Sequence, residues 1–168
     1  CIALWVGGAV WLRRESLRGW YYDVYDYRPR ERALVQNQAL IRKAVEMARA
    51  AGCIISIDMA SYNVVESNFA FLHDIVDRYV DIVFANETES RAFTGLSDAR
   101  EALDEIAKHC GIAVVKVGKD GSWVKSGDEV HYIPACEAKP IDATGAGDTY
   151  AAGFLYAHSL GMPLQQCG

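Results

Sequence analysis

"VDIVFANETESRAFTG", Val80 to Gly95, contains two structural elements and the junction between them. Its first seven residues are mostly apolar and β-branched, as expected of a short strand buried on both faces. "ETESRAFTG" then reads as a short helix closed by Gly95. Asn86 stands at the junction and Glu89 at the third helical position, an ordinary helix start with a cap and a return bond. A strand feeding directly into a helix is half of a βα repeat. Whether the chain repeats it decides the fold.

The repeat is visible on both sides. Upstream, "LVQNQALIRKAVEMARAAG" carries Leu34, Leu40, Ile41, Ala44, Val45, Met47 and Ala48 on a broad helical face, and Gly52 is a stop signal. "CIISID", Cys53 to Asp58, is another short buried strand. "VESNFAFLHDIVDRY" then has helical spacing through Phe69, Leu72, Ile75 and Val76. Downstream, Asp98 with Glu101 three residues on predicts a capped helix running toward Gly111. "IAVVKVG", Ile112 to Gly118, is the third buried strand. "GSWVKSG" and "DEVHYIP" form a hairpin about Gly127 and Asp128. A glycine-rich stretch, "DATGAGDTY" from Asp142 to Tyr150, leads into a helix from about Gly145 to Leu160, with Gly161 and Pro163 beyond. "LQQCG" looks like the first turn of another helix.

This order predicts an α/β layered domain with a mainly parallel sheet. Ligands of such sheets bind outside the carboxyl ends of the strands. Those ends deliver Asp58, then Asn86 and Glu89, then Lys116 and Gly118, and the glycine-rich segment adds Asp142 to Asp148.

Composition narrows the function classes. About half of the 168 residues are apolar, enough for one core, and the net charge of −5 offers no basic field for nucleic acid or an anionic membrane. No apolar run approaches the ~20 residues that span a bilayer. Cys1, Cys53, Cys110, Cys136 and Cys167 lack paired or metal-ligand spacing, so buried reduced thiols in a cytoplasmic protein are expected. The four histidines are scattered and read as surface or half-buried. The first 33 residues follow no clean period, and three of the four tryptophans and six of the eleven arginines fall there.

Gly145, Ala146 and Gly147 let backbone N–H groups approach a ligand closely. At a helix start those groups lack intrahelical partners, and the macrodipole adds partial positive charge. That suits a phosphate, or the charge on a transferring phosphoryl group. Asp148 would be repelled by phosphate but is well placed to take a proton from an attacking hydroxyl. The bland alternative is a turn whose glycines and acid simply start a helix.

"DATGAGD" resembles the signature of the ribokinase-like, or PfkB, carbohydrate kinases, a family that includes adenosine kinases. "NETE" at Asn86 to Glu89 is similar to the family's N-x-x-E motif, and "VVKVGKDGSWV" to its strand and turn beside the nucleotide. The match covers roughly Leu34 to Gly168. It implies a ribokinase-like layered α/β/α domain with a mainly parallel sheet, present in part. Residues 34–168 would be the phosphate and catalytic portion, and 1–33 an atypical segment. The N-terminal substrate and lid part and the last helices would be missing, so the isolated chain is expected to be poorly soluble or inactive.

The resemblance also implies roles. Asp148 would be the base, and the Gly145, Ala146 and Gly147 amides the anion hole. Asn86 and Glu89 would organise Mg²⁺ through its waters. Gly118 and Gly121 would let ATP approach the backbone. Lys116 stands where many relatives have threonine; a lysine there could reach a phosphate as a point charge, or equally be a solvated residue at a strand end. Asp142 and Thr144 lie where some relatives bind a monovalent cation such as K⁺. Asp58 would face the phosphates or the metal, with Asn63 nearby. The acceptor implied is a hydroxymethyl group of a sugar or nucleoside, and the complete protein would be a candidate homodimer. Two alternatives stand beside this: a remnant that only binds nucleotide, and an unrelated α/β domain with structural glycines.

Overall fold

A computed structural model of the chain describes residues 2–5, 27–136 and 144–168, with side chains described for 37–136 and 144–168. Among these residues, six strands form one sheet in the order β1-β2-β3-β4-β5-β6. They are β1 (Ile2–Trp5), β2 (Ile55–Asp58), β3 (Ile82–Asn86), β4 (Ile112–Lys116), β5 (Ser122–Ser126) and β6 (Glu129–Ile133). The first four run parallel, and β5 and β6 turn back antiparallel through the hairpin at Gly127 and Asp128. Helices α1 (Tyr27–Ala50), α2 (Tyr62–Ser67), α3 (Phe69–Tyr79), α4 (Glu87–Thr94) and α5 (Ala99–Ile106) lie between the parallel strands. Helices α6 (Ala146–Ser159) and α7 (Leu164–Cys167) follow the hairpin.

Strand order equals chain order, so every right-handed crossover steps in the same direction and leaves its helices on one face. The core confirms that placement. Ile57, Val83, Ala85, Ala113 and Val115 pack against Val45, Leu72, Ile75, Phe93, Leu103 and Ile106 of α1, α3, α4 and α5. The alternate residues Ile82, Phe84, Ile112, Val114 and Val124 face α6 and α7, meeting Phe154, Ala157 and Cys167. The helix α6 is pinned by an edge-on contact of Phe84 with Phe154, with ring centroids 5.3 Å apart. Each fully buried phenylalanine of this kind contributes about 1.5–3 kcal/mol. The layered α/β/α reading therefore holds.

Several local expectations need correction. The segment read as one helix from Val65 breaks at Asn68 (φ −125°, ψ 22°), which separates α2 from α3. The Asn68 amide competes with the helix by donating to the Val64 carbonyl and accepting from Gln38 Nε2, both at 3.0 Å. On α1, Val45 and Ala48 are buried, whereas Leu40 and Met47 are more than half exposed, so the buried stripe is narrower than the apolar pattern. Phe69 is also largely exposed and rests on His73 rather than the core. Asp98 caps α5 by accepting from the Arg100 and Glu101 N–H groups, while the return bond from Glu101 does not form. Residues 2–5 of the aperiodic opening form β1, alongside β2. The expectation of buried thiols holds fully at Cys167, is met halfway at Cys53 and Cys110, which are half-buried, and fails at the exposed Cys136; Cys1 lies outside the described residues.

Candidate active site

The site begins where the apolar ladder on the α6 face of the sheet gives out. Asp58, Phe84, Val114 and Val124 occupy one cross-strand row. One pleat further toward the carboxyl end of the parallel strands, the row is Asn86, Lys116 and Ser122. Alternation puts both rows on one face. A buried polar row there requires partners, and the structure supplies them.

Asn86 and Glu89 satisfy each other in a complete capping box. Asn86 Oδ1 accepts from the Thr88 and Glu89 N–H groups at 2.9 Å. Glu89 accepts from the Asn86 backbone N–H and from Asn86 Nδ2, both at 2.8 Å. Glu89 is 3% exposed. Burial pushes its carboxyl above the ordinary range, opposed by the Asn86 N–H, while nearby Asp58 adds to the rise and Lys116 offsets it. Both carboxylate oxygens already accept hydrogen bonds, which suits a water-bridged Mg²⁺ better than direct coordination. Among the described residues no group of three or more acidic, histidine or cysteine side chains could cage a metal.

The turn after β4 is built around Gly121. Its φ is +104°, and a Cβ there would lie 2.0 Å from the Ile133 carbonyl oxygen. Only glycine lets the strands β4 and β5 join against the end of β6 in this way. The turn borders a cavity of about 470 Å³, which Lys116, Gly118 and Gly121 line from one side. Ala146, Gly147 and Tyr150 of α6 line the other, and Asn86 with the first residues of α4 completes the rim. Gly145 starts α6 in the left-handed conformation, φ +76°, with no side-chain cap. Its carbonyl accepts from Thr149 N–H at 2.9 Å, so the ladder begins there and the Ala146 and Gly147 amides precede it at the cavity wall. This is the geometry in which a helix start receives an anion.

Two side-chain pairs brace the cavity. Lys116 Nζ donates to Asp58 Oδ2 at 2.7 Å, with the side chains 15% and 10% exposed. Asp58 Oδ1 accepts from Ala60 N–H at 3.1 Å, closing a turn in which Ala60 has φ +62°. A non-glycine residue held there costs about 1–2 kcal/mol. The hydroxyls of Tyr150 and Ser122 lie 2.8 Å apart, and Ser122 is fully buried. Burial raises the Tyr150 phenol above its usual range, against the Ser122 hydrogen bond.

Of the residues singled out in the sequence, Asn86, Lys116, Gly118, Gly121, Ala146 and Gly147 converge on this cavity. Asp148 occupies the first turn of α6 but is exposed and does not line it. Gly145 and Thr144 are also exposed at the helix start, and Asp142 lies outside the described residues. Asn63, on α2, is away from the cavity lining. Sequence reasoning missed Tyr150 and Ser122. Helical spacing gave a usable signal for the first, since Tyr150 follows Gly147 by three and shares its face. The second needed the β4–β5 register.

With the geometry in place, comparison with known proteins identifies the family. Residues 34–168 match the pfkB family carbohydrate kinase model, so the chain belongs to that family. It is 36% identical over 127 residues to a nucleoside kinase of Methanothermobacter thermautotrophicus, covering 73% of this chain and 38% of the relative. It is 40% identical over 101 residues to a cytidine kinase of Thermococcus kodakarensis, covering 57% and 35%. An adenosine kinase structure from Sinorhizobium meliloti superposes with a TM-score of 0.72 at 34% identity, covering 76% of this chain and 40% of that one. The chain spans between 23% and 38% of the length of the first curated relatives it matches.

Proposed function

We propose that this chain carries the phosphate-binding and catalytic portion of an ATP-dependent kinase, whose acceptor is a hydroxymethyl group of a nucleoside or sugar. The observation that carries the reading is the cavity shared by the β4 turn and the first turn of α6. On that reading ATP lies along the Gly118–Gly121 turn with its terminal phosphate at the Ala146 and Gly147 amides. Those amides stabilise the charge of the transferring phosphoryl group, which is the larger part of what a protein contributes to such a transfer. Asp148, about a hundred degrees further round the helix, is exposed outside the cavity. There it meets an acceptor on the opposite side of the phosphoryl group and removes the hydroxyl proton. Mg²⁺ neutralises phosphate charge when bound. Glu89 and Asn86 would hold its waters, and Thr144 and Asp142 would be the candidates to hold a monovalent cation. Reported relatives named as nucleoside, cytidine and adenosine kinases favour a nucleoside acceptor.

Binding is the first test. ATP should raise the melting temperature of the chain, and Asp148→Asn should leave that shift intact. In any preparation that transfers phosphate to adenosine, cytidine or ribose, Asp148→Asn should lower kcat by about 10²–10⁴-fold. A wild-type melting temperature that ATP leaves unmoved sinks the reading.

A further inference from the structure

The functional reading leaves Asp58 without a task. Asp58 and Lys116 end strands that are not neighbours, because β3 runs between them, yet their side chains meet at 2.7 Å across it. Such a buried pair is a poor source of stability, since desolvation of both charges offsets their attraction. Three features of its surroundings point to a ligand instead. First, an ammonium has three donors, and among the described residues Asp58 is the single hydrogen-bond partner of Lys116. Second, Lys116 lines the cavity, and a Cβ added at Gly147 would lie 3.1 Å from its Nζ, so the ammonium touches the start of α6. Third, the Asp58 carboxylate is itself fixed by the Ala60 N–H in a turn that holds Ala60 at positive φ. Strain of that kind persists where the surroundings over-determine it.

We propose that Asp58 is a positioning residue: it anchors the Lys116 ammonium beside Gly147, so that the open donors meet the terminal phosphates of the nucleotide. This rests on the functional reading above. A lysine free in solvent must surrender the rotamer freedom of a four-carbon stem to reach a phosphate; one already anchored has surrendered it on folding. Before nucleotide arrives, Asp58 keeps the ammonium from being a lone buried charge. When phosphate arrives, the ammonium is shared between two anions without leaving the first.

The test is calorimetric titration of the chain with ATP and with AMP, whose one phosphate does not reach the start of α6. Lys116→Met should weaken ATP by about tenfold or more, as for a lost charge-assisted hydrogen bond, and leave AMP within about twofold. Asp58→Asn should weaken ATP by about threefold to fivefold with AMP unchanged, the loss expected when the lysine keeps its charge but not its place. Lys116→Arg, which keeps charge and pairing, should retain most of the affinity. If a single variant fails to fold because it buries a lone charge, the neutral pair Asp58→Asn with Lys116→Met takes its place. It should weaken ATP and spare AMP. ATP binding that is unchanged in Lys116→Met, or equal or tighter in Asp58→Asn, overturns the inference while the functional reading stands. Parallel loss of ATP and AMP marks a structural role and also overturns it. A wild-type chain that binds no ATP removes both.

Discussion

Asn86 and Glu89 are locked together by hydrogen bonds in both directions: each backbone N–H is received by the other's side chain, and Asn86 Nδ2 also reaches Glu89 Oε1. The same sequence signal at Asp98 and Glu101 yields only half of that arrangement. The difference is burial, since Glu89 is inside and Glu101 is exposed. Asn86→Ala removes a cap and takes from the buried Glu89 its Nδ2 donor at Oε1, leaving only the backbone N–H at Oε2, so it should cost about 2–3 kcal/mol. Asp98→Ala loses a cap on an exposed helix start and should cost about 1 kcal/mol. Urea denaturation of the two variants gives the comparison. Equal losses would mean that Glu89 gains nothing from Asn86.

The two glycines of the β4 turn should respond unequally to alanine. Gly118 has φ +58° with nothing within 4 Å of a built Cβ, so Gly118→Ala meets only the left-handed backbone cost of about 1–2 kcal/mol. Gly121→Ala adds a collision with the Ile133 carbonyl at 2.0 Å, which the backbone must move to relieve. We expect about 3 kcal/mol or more, together with loss of ATP binding, because that movement displaces a cavity wall. Thermal melts with and without ATP separate the two variants. A Gly121→Ala chain as stable as Gly118→Ala would refute the close approach.

That contrast shows what the sequence could and could not convey. The three buried strands and the hairpin were legible because runs such as "IVFA" and "IAVV" are apolar at every position, which few other elements require. The convergence of Asn86, Lys116, Gly118 and Gly147 followed from the rule about strand ends. Long-range pairings were not legible. Nothing in "SIDMASYN" says that Asp58 crosses over β3 to Lys116, and nothing local says that Ser122 meets Tyr150, because the first depends on register between strands far apart in sequence and the second on how α6 packs on β5. The break at Asn68 was hidden too, since its apolar spacing continues through it while a side-chain amide ends the helix locally. The exposed faces of Leu40 and Met47 show the same limit, because periodicity marks an apolar stripe without saying how much of it is covered.

Asp104 links α5 to β5 by accepting from Arg100 at 2.7 Å and from Lys125. Hydrogen bonding from Lys125, and then from Arg100, holds its carboxyl below the ordinary value of 3.8. A lowered native value means that the stabilisation is present above pH 3.8 and disappears as pH falls through the native value. The Asp104 side chain is 40% exposed, so screening limits the pair to about 0.5–1 kcal/mol. Asp104→Asn should therefore lose that much in urea titrations at pH 7 and match wild type well below pH 3.8. A deficit that persists in acid would assign the effect to packing instead.

The cysteines should divide by burial. Cys110 donates its thiol to the Ile106 and Ile112 carbonyls at 3.4 and 3.3 Å, and burial pushes the thiol up to about 12. Only about one molecule in 10⁴ would then hold the reactive thiolate at pH 8. Burial raises Cys167 as well, and its thiol donates to the Met162 carbonyl at 3.4 Å beneath α6. Cys136, just after β6, is exposed. Alkylation of the native chain with iodoacetamide at pH 8, followed by peptide mass mapping, should mark Cys136 within minutes. Cys110 and Cys167 should remain unmodified until urea is added. Because Cys110 sits between α5 and β4, its early labelling would show that this junction opens in the native state. Early labelling of Cys167 alone would instead place the opening under α6, which walls the cavity shared with the β4 turn, and on the proposed function ATP should then slow it.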